Sequence, residues 1–241
     1  MAFTNVNAIN QAGDMRVTVL SSPSDRRARN RREMHDAILA AARAQMREAG
    51  VAALNLNEVA RRVNLTTPAL YKYFASKRAI YDALFQLGNR LYRAELEKLD
   101  LASADSAESA LRGALEHQLR FAIDTPELYQ LIIQRPVPGF VPSEEGLKEA
   151  AQTEEVGARI FAKLIAEGII VPEGPPERAF YLLLAMMGGL ADGHLANDPH
   201  LPVGEGRFGS LVPEAVHMFA GAWAPTARSR TVRRSKRGTG K

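Results

Sequence analysis

The chain has 241 residues, 46% of them hydrophobic and 24% charged, which is ordinary usage for a globular protein with a buried core. It contains no cysteine, so a disulfide framework and thiolate chemistry are excluded. The net charge of +4 conceals a strong polarity: −1 over residues 1–25, +8 over 26–81, −10 over 82–225 and +7 over 226–241. A basic head on an acidic body is the layout of a protein that grips a polyanion at one end, although the basic tail taken alone reads equally as a solubilising segment.

The longest uncharged apolar run, Ala179 to Ala191, has 13 residues, short of the roughly 18 to 20 that a bilayer span requires. The N-terminus carries no basic segment followed by an apolar core, so no secretory signal is expected. The expectation is a cytoplasmic protein with no membrane partner.

In chain order, residues 1–25 show no sustained period and read as a disordered extension. A helix is predicted from Arg29 to Ala49, where Met34, Ile38, Ala41, Ala42 and Gln45/Met46 recur every three or four residues and Gly50 stands at a left-handed stop. A short helix follows from Leu56 to about Val63, with Asn55 as N-cap and Glu58 completing a capping-box-like pair. Asn64 is the non-glycine type most tolerant of positive φ. Thr66 then caps a third helix that holds Thr67, Pro68 and Ala69 through Phe74, the proline falling where a missing N–H costs little. Two short helices joined by a tight turn form a helix-turn-helix.

Ser76 caps a long fourth helix from Lys77 to about Leu99. Further helices are predicted over Ser106–Ile123, Pro126–Gln134, Ser143–Glu167, Pro175–Leu195 and Leu211–Trp223. Residues 135–142 are a breaker-rich loop, and Gly168–Pro172 is the only strand-like run. The fold class is all-α. The divisions are a disordered extension at 1–25, a helix-turn-helix domain at 26–76, a helical regulatory and dimerisation domain at 77–225, and a basic disordered tail at 226–241.

The stretch Asn55-Leu-Asn-Glu-Val-Ala-Arg-Arg-Val-Asn-Leu-Thr-Thr-Pro-Ala-Leu-Tyr-Lys-Tyr-Phe-Ala-Ser-Lys77 resembles the DNA-binding head of the tetracycline-repressor (TetR) family. The likeness covers about residues 29–85. Val59-Ala60, the small turn, the Thr cap, Ala69-Leu70-Tyr71, Phe74 and Lys77 carry it. Asn64 stands where the family usually has Gly, and Tyr73 where His is common.

The resemblance implies a three-helix head on a helical body that dimerises and binds a small molecule. Carried over residue by residue, it places Thr67, Pro68, Ala69 and Lys72 in the major groove, with Asn57 as a base reader. Tyr71, Tyr73 and Lys77 would hold phosphates, as would Arg31 and Arg32 at the start of the first helix. The residue types agree on physical grounds. A helix fits the major groove, Thr66, Thr67 and Ala69 are small enough for close approach, and a Thr methyl or Ala meets a thymine methyl. Leu56, Val59, Val63, Leu65, Leu70 and Phe74 read as the core of the head. Tyr71 also reads as a packing residue, and Arg61 and Arg62 as a solvated face.

In the body, His117, Gln118, Phe121, Tyr129, Phe161, Tyr181 and Met186 are candidates to line an effector pocket, since such sites are mostly apolar with a few placed polar groups. Each also reads as plain helix core. Pro175–Leu195 and Leu211–Trp223 are apolar on more than one face, and the resemblance makes them the homodimer interface. No cofactor is expected. The five histidines have no metal-ligand spacing, and neither a phosphate-binding glycine loop nor a nucleophile elbow occurs, so an enzyme is not expected. The reading is a homodimeric repressor of a near-palindromic double-stranded DNA operator, released by a small-molecule effector. The alternative is a DNA-anchored adaptor whose body binds a protein partner, which a body sealed without a cavity would favour.

Overall fold

The computed structural model describes residues 23–224, the side chain of Ala102 excepted. Among the described residues there is no strand, and ten α-helices follow in order. The expected disordered segments lie outside the described residues, apart from residues 23–25. These three are helical, because α1 runs from Pro23 to Ala49 rather than starting at Arg29, with Pro23 at the one position where a helix tolerates it. Gly50, at φ 93°, ends the helix as its position predicts.

The head comprises α1, α2 (Leu56–Arg62) and α3 (Thr67–Leu70), packed on the start of α4 (Lys77–Leu96). Its core is Ile38, Ala42, Val59, Leu70, Phe74, Ile80 and Leu84, all buried, with Leu56, Val63 and Leu65 packed partly buried at its edge. The body adds α5 (Ala107–Asp124), α6 (Pro126–Tyr129), α7 (Glu144–Ala166), α8 (Pro176–Asn197), α9 (Gly206–Gly209) and α10 (Val212–Trp223). Helix α4 runs from head into body and lies along α7, while α5 packs between α8 and α10. The close approach of α4 to the segment after α6 needs Gly88, since an added Cβ there would lie 2.8 Å from Ile132 Cγ2.

Several boundaries differ from expectation. The single helix expected over Pro126–Gln134 is one α-turn followed by a π-helical turn, Gln130–Gln134. The strand-like run at 168–172 pairs with no strand. Gly168, at φ 64°, closes a Schellman stop on α7, Ile169 and Ile170 are buried, and Val171 N–H donates to Trp223 O at 2.8 Å. Helix α8 is long and apolar enough, by length and composition, to cross a membrane, yet it packs against α5, α7 and α9. Its Gly193 faces the Phe208 ring of α9, where a Cβ would come within 2.5 Å.

Candidate nucleic-acid interface

The helix-turn-helix is built from short-range hydrogen bonds. Asn55 Oδ1 caps α2 by accepting from Asn57 N at 3.0 Å. The reciprocal half of the expected capping box is absent. Asn55 N donates instead to Gln45 Oε1 of α1 at 2.8 Å, and Glu58 turns to Arg61 and Arg62. Gln45, buried among apolar neighbours, also donates to Ala53 O, so one side chain sets where α2 begins relative to α1. Gln45 is the polar residue on the apolar period of α1, and its burial there is what makes these two bonds obligatory.

Helix α2 ends in a Schellman motif. Asn64 takes φ 54°, its N–H reaches Arg61 O, and Leu65 N–H reaches Ala60 O at 2.9 Å. Thr66 Oγ1 then accepts from Ala69 N at 3.3 Å and opens α3. The α-helical part of α3 is only Thr67–Leu70. The chain continues to Phe74 as hydrogen-bonded turns, Tyr73 N–H reaching Leu70 O at 2.9 Å and Phe74 N–H reaching Leu70 O at 3.1 Å.

Across the turn, Thr67 Oγ1 donates to Asn57 Oδ1 at 2.7 Å, joining the first turns of α2 and α3. This contact leaves the Asn57 amide N–H groups directed outward as donors, since its oxygen already has a partner. Thr66, Pro68, Tyr71 and Lys72 are exposed, and Thr67, Ala69, Tyr73 and Lys77 half-buried. Tyr71, at 49% exposure, is therefore not a core residue.

The flanking cations are positioned by aromatic rings and backbone. Arg31, exposed on α1, places its guanidinium 5.4 Å from the centre of the Tyr73 ring and donates to Lys72 O at 3.0 Å, tying α1 to the end of the recognition segment. Lys77 Nζ stands 5.6 Å from the centre of the Tyr81 ring, whose hydroxyl donates to Val51 O at 2.7 Å. Arg32 is exposed. Arg62 differs from the solvated-face reading: it bridges Glu48 of α1 and Glu58 of α2 at 2.6 and 2.8 Å. Hydrogen bonds from Arg61 and Arg62 hold the Glu58 carboxyl down at about 2.

The body contains a cavity of about 350 Å³ between α4, α5, α7 and α8. Gln118, Phe161 and Tyr181 line it, whereas His117, Phe121, Tyr129 and Met186 do not. The rings of His117 and Phe121 flank Tyr92 at 5.8 and 4.8 Å between centroids, and burial pushes the His117 pKa down. Tyr129 directs its hydroxyl to Asp192 Oδ1 at 2.8 Å, and Met186 is adjacent to Met187, which does line the cavity. The polar lining was missed at Asn89, Tyr92 and Thr153: Tyr92 donates to Gln118 Oε1, and Thr153 Oγ1 donates to Asn89 O at 3.2 Å. Burial raises the pKa of Tyr92, keeping it a protonated donor.

A capped helix-turn-helix rimmed by cations, on a helical body with an apolar cavity, defines a DNA-binding regulator. Residues 38–84 match the family of bacterial regulatory proteins known as the tetR family. Residues 38–84 are thus a TetR-family DNA-binding head, carried on a helical body. Among the curated proteins, no sequence matches the chain.

Solved structures share the fold. A Rhodococcus sp. RHA1 protein of unknown function aligns with a TM-score of 0.64 at 24% identity, over 80% of this chain and 96% of its own. A TetR family transcriptional regulator from Chloroflexus aurantiacus J-10-fl aligns at 0.57 and 19% identity, over 82% and 95%. AibR, solved in complex with isovaleryl coenzyme A and operator DNA, aligns at 0.57 and 16% identity, over 78% and 99%.

Proposed function

We propose that the protein is a homodimeric repressor that leaves its operator when a small molecule occupies the body cavity, acting in the cytoplasm where its DNA lies. The observation that carries this reading is the connection between the two parts. Glu127, at the start of α6, is enclosed and ion-paired to Arg43 and Arg47 of α1, and the same short helix leads into the π-turn whose Ile132 and Ile133 line the cavity. A ligand that prefers one arrangement of the π-turn thereby acts on the helix that carries the head.

In this reading Thr67, Pro68, Ala69 and Lys72 meet base edges, with Asn57 donating beside them. Thr66, Tyr71, Tyr73, Lys77, Arg31 and Arg32 set register on phosphates and the groove wall. The second protomer would cover the exposed apolar stripes of Leu182, Ala185 and Gly189 on α8, and of Met218 on α10 with Leu211 just before it. Gly189 and Gly221 support close approach there, because a Cβ on either would meet only open space within one protomer. Two copies then present two recognition segments to half-sites about one helical turn apart, roughly 34 Å. The cavity weighs against the adaptor reading, which calls for a sealed body.

A mobility-shift titration with the DNA upstream of the protein's own coding region tests the proposal. A shift at low salt, weakened when Leu182→Glu and Met218→Glu make the protein monomeric, is expected. No shift from an intact dimer would refute it.

A further inference from the structure

The cavity wall is mostly aliphatic and aromatic, but its rim holds one cation that has no ionic partner among the described residues. Arg135 follows the π-turn with φ 51°, a left-handed conformation uncommon for a residue with a side chain. The turn is pinned to α8, since Tyr129 Oη and Gln134 Nε2 both donate to Asp192 Oδ1, at 2.8 and 3.0 Å. Arg135 is therefore presented by a fixed backbone, and π-turns and unusual backbone conformations concentrate at functional sites.

Among the described residues Arg135 enters no ion pair, although the body around it carries a net charge of −10. Glu154 is the other charged residue of the lining, and its Oε1 accepts from Tyr181 Oη at 2.6 Å. The polar groups deeper inside, Tyr92, Gln118 and Thr153, are neutral and largely engaged with one another or with backbone.

We infer that the effector is an amphiphilic anion, its apolar part filling the cavity and its carboxylate, or an equivalent anionic group, resting on the Arg135 guanidinium. This rests on the reading of the body as an effector site. An apolar void of roughly 150 Å³ takes up benzene, so about 350 Å³ suits an apolar part of roughly ten carbons. A free carboxylate and the ester of a larger phosphate-bearing carrier share this chemistry.

The test is calorimetric titration of the full-length chain with hexanoate, octanoate, decanoate, 1-decanol, decylamine and decanoyl-coenzyme A. Decanoate is expected to bind about tenfold tighter than 1-decanol and tighter still than decylamine, with affinity rising about fourfold per methylene from C6 to C10. Arg135→Gln should abolish the margin over the alcohol while leaving 1-decanol binding unchanged, and Arg135→Lys should restore part of it. Tighter binding of decanoyl-coenzyme A than of decanoate identifies a carrier ester, and the reverse order a free acid. Equal affinities for acid and alcohol, or an anion preference that survives Arg135→Gln, would overturn the inference.

Mobility shifts run in parallel separate it from the proposed function. Arg135-dependent binding that leaves DNA bound overturns effector release but not the ligand class. Release by a neutral or cationic compound, indifferent to Arg135, overturns the ligand class but not release.

Discussion

The carboxylate of Glu127 accepts a hydrogen bond from Arg43 Nε at 2.8 Å, joining the short helix α6 of the body to the helix that frames the DNA-binding head. Arg47 reaches the other carboxylate oxygen through Nε and Nη2, at 3.0 and 2.8 Å. The Glu127 side chain has no solvent exposure, while those of Arg43 and Arg47 keep 28% and 51%. The acid is therefore committed to the pairing, and the two bases can recover water if it is removed.

That asymmetry sets unequal costs for substitution. Arg43→Ala together with Arg47→Ala leaves the enclosed Glu127 carboxylate without a partner, and should lower stability by about 3 kcal/mol in urea denaturation. Arg47→Ala, with half its side chain in water and Arg43 left in place, should cost no more than about 1 kcal/mol. Equal losses would mean that the head and body are held together elsewhere.

The Thr67–Asn57 hydrogen bond should govern base choice. Thr67→Val keeps the side-chain shape but removes the hydroxyl, freeing Asn57 Oδ1 to accept from a base while its Nδ2 donates. Selection from a randomised DNA pool should then return an altered preference at the base that Asn57 faces, where a good bidentate contact is worth about 1–3 kcal/mol. An unchanged consensus would remove Asn57 from the readers.

Lys77 should act without regard to sequence. Lys77→Ala is expected to weaken every operator by the same factor and to reduce the slope of log affinity against log salt by about one unit. A changed ranking among operators would contradict a phosphate role.

Two glycines of α8 should respond oppositely to alanine. Gly193→Ala drives a Cβ into the Phe208 ring and should cost about 1–3 kcal/mol. Gly189→Ala meets open space within the protomer and should stabilise the isolated fold by up to about 1 kcal/mol through helix propensity. Thermal denaturation compares them, and light scattering on larger residues at 189 reports whether a second copy covers that face.

Acid should weaken the head through Glu58. Hydrogen bonds from Arg61 and Arg62 depress its carboxyl from 4.5 to about 2, so the folded state binds its proton less readily than the unfolded chain. The contribution is complete above about pH 4.5 and is lost as the pH falls toward 2. The difference in thermal midpoint between the wild type and Glu58→Gln should shrink across that window. A gap that stays constant from pH 5 to 2.5 would show that the ion pairs do not stabilise the fold.

Much of the head was legible in sequence because its determinants are local. The Asn64 conformation, the Thr66 and Ser76 caps and the Gly50 stop each satisfy backbone groups within a few residues of themselves, so residue type and spacing announce them. Periodicity likewise gave the long helices of the body. It could not separate the π-turn from a continuing helix at 130–134, because both bury the same apolar residues. Nor could it tell the reciprocal capping box from the bond that Asn55 makes to Gln45, ten residues away.

By itself, then, the sequence determined the helical class and the helix-turn-helix, both products of short-range hydrogen bonding and side-chain period. Tertiary structure alone decided the Glu127–Arg43 link, more than eighty residues apart in the chain, and the void that takes in Gln118 but leaves out neighbouring His117 and Phe121. A helical period tells which face turns inward. Whether that face meets a neighbour or an empty space depends on how helices distant in sequence approach one another, and that distance is set only when the whole bundle has packed.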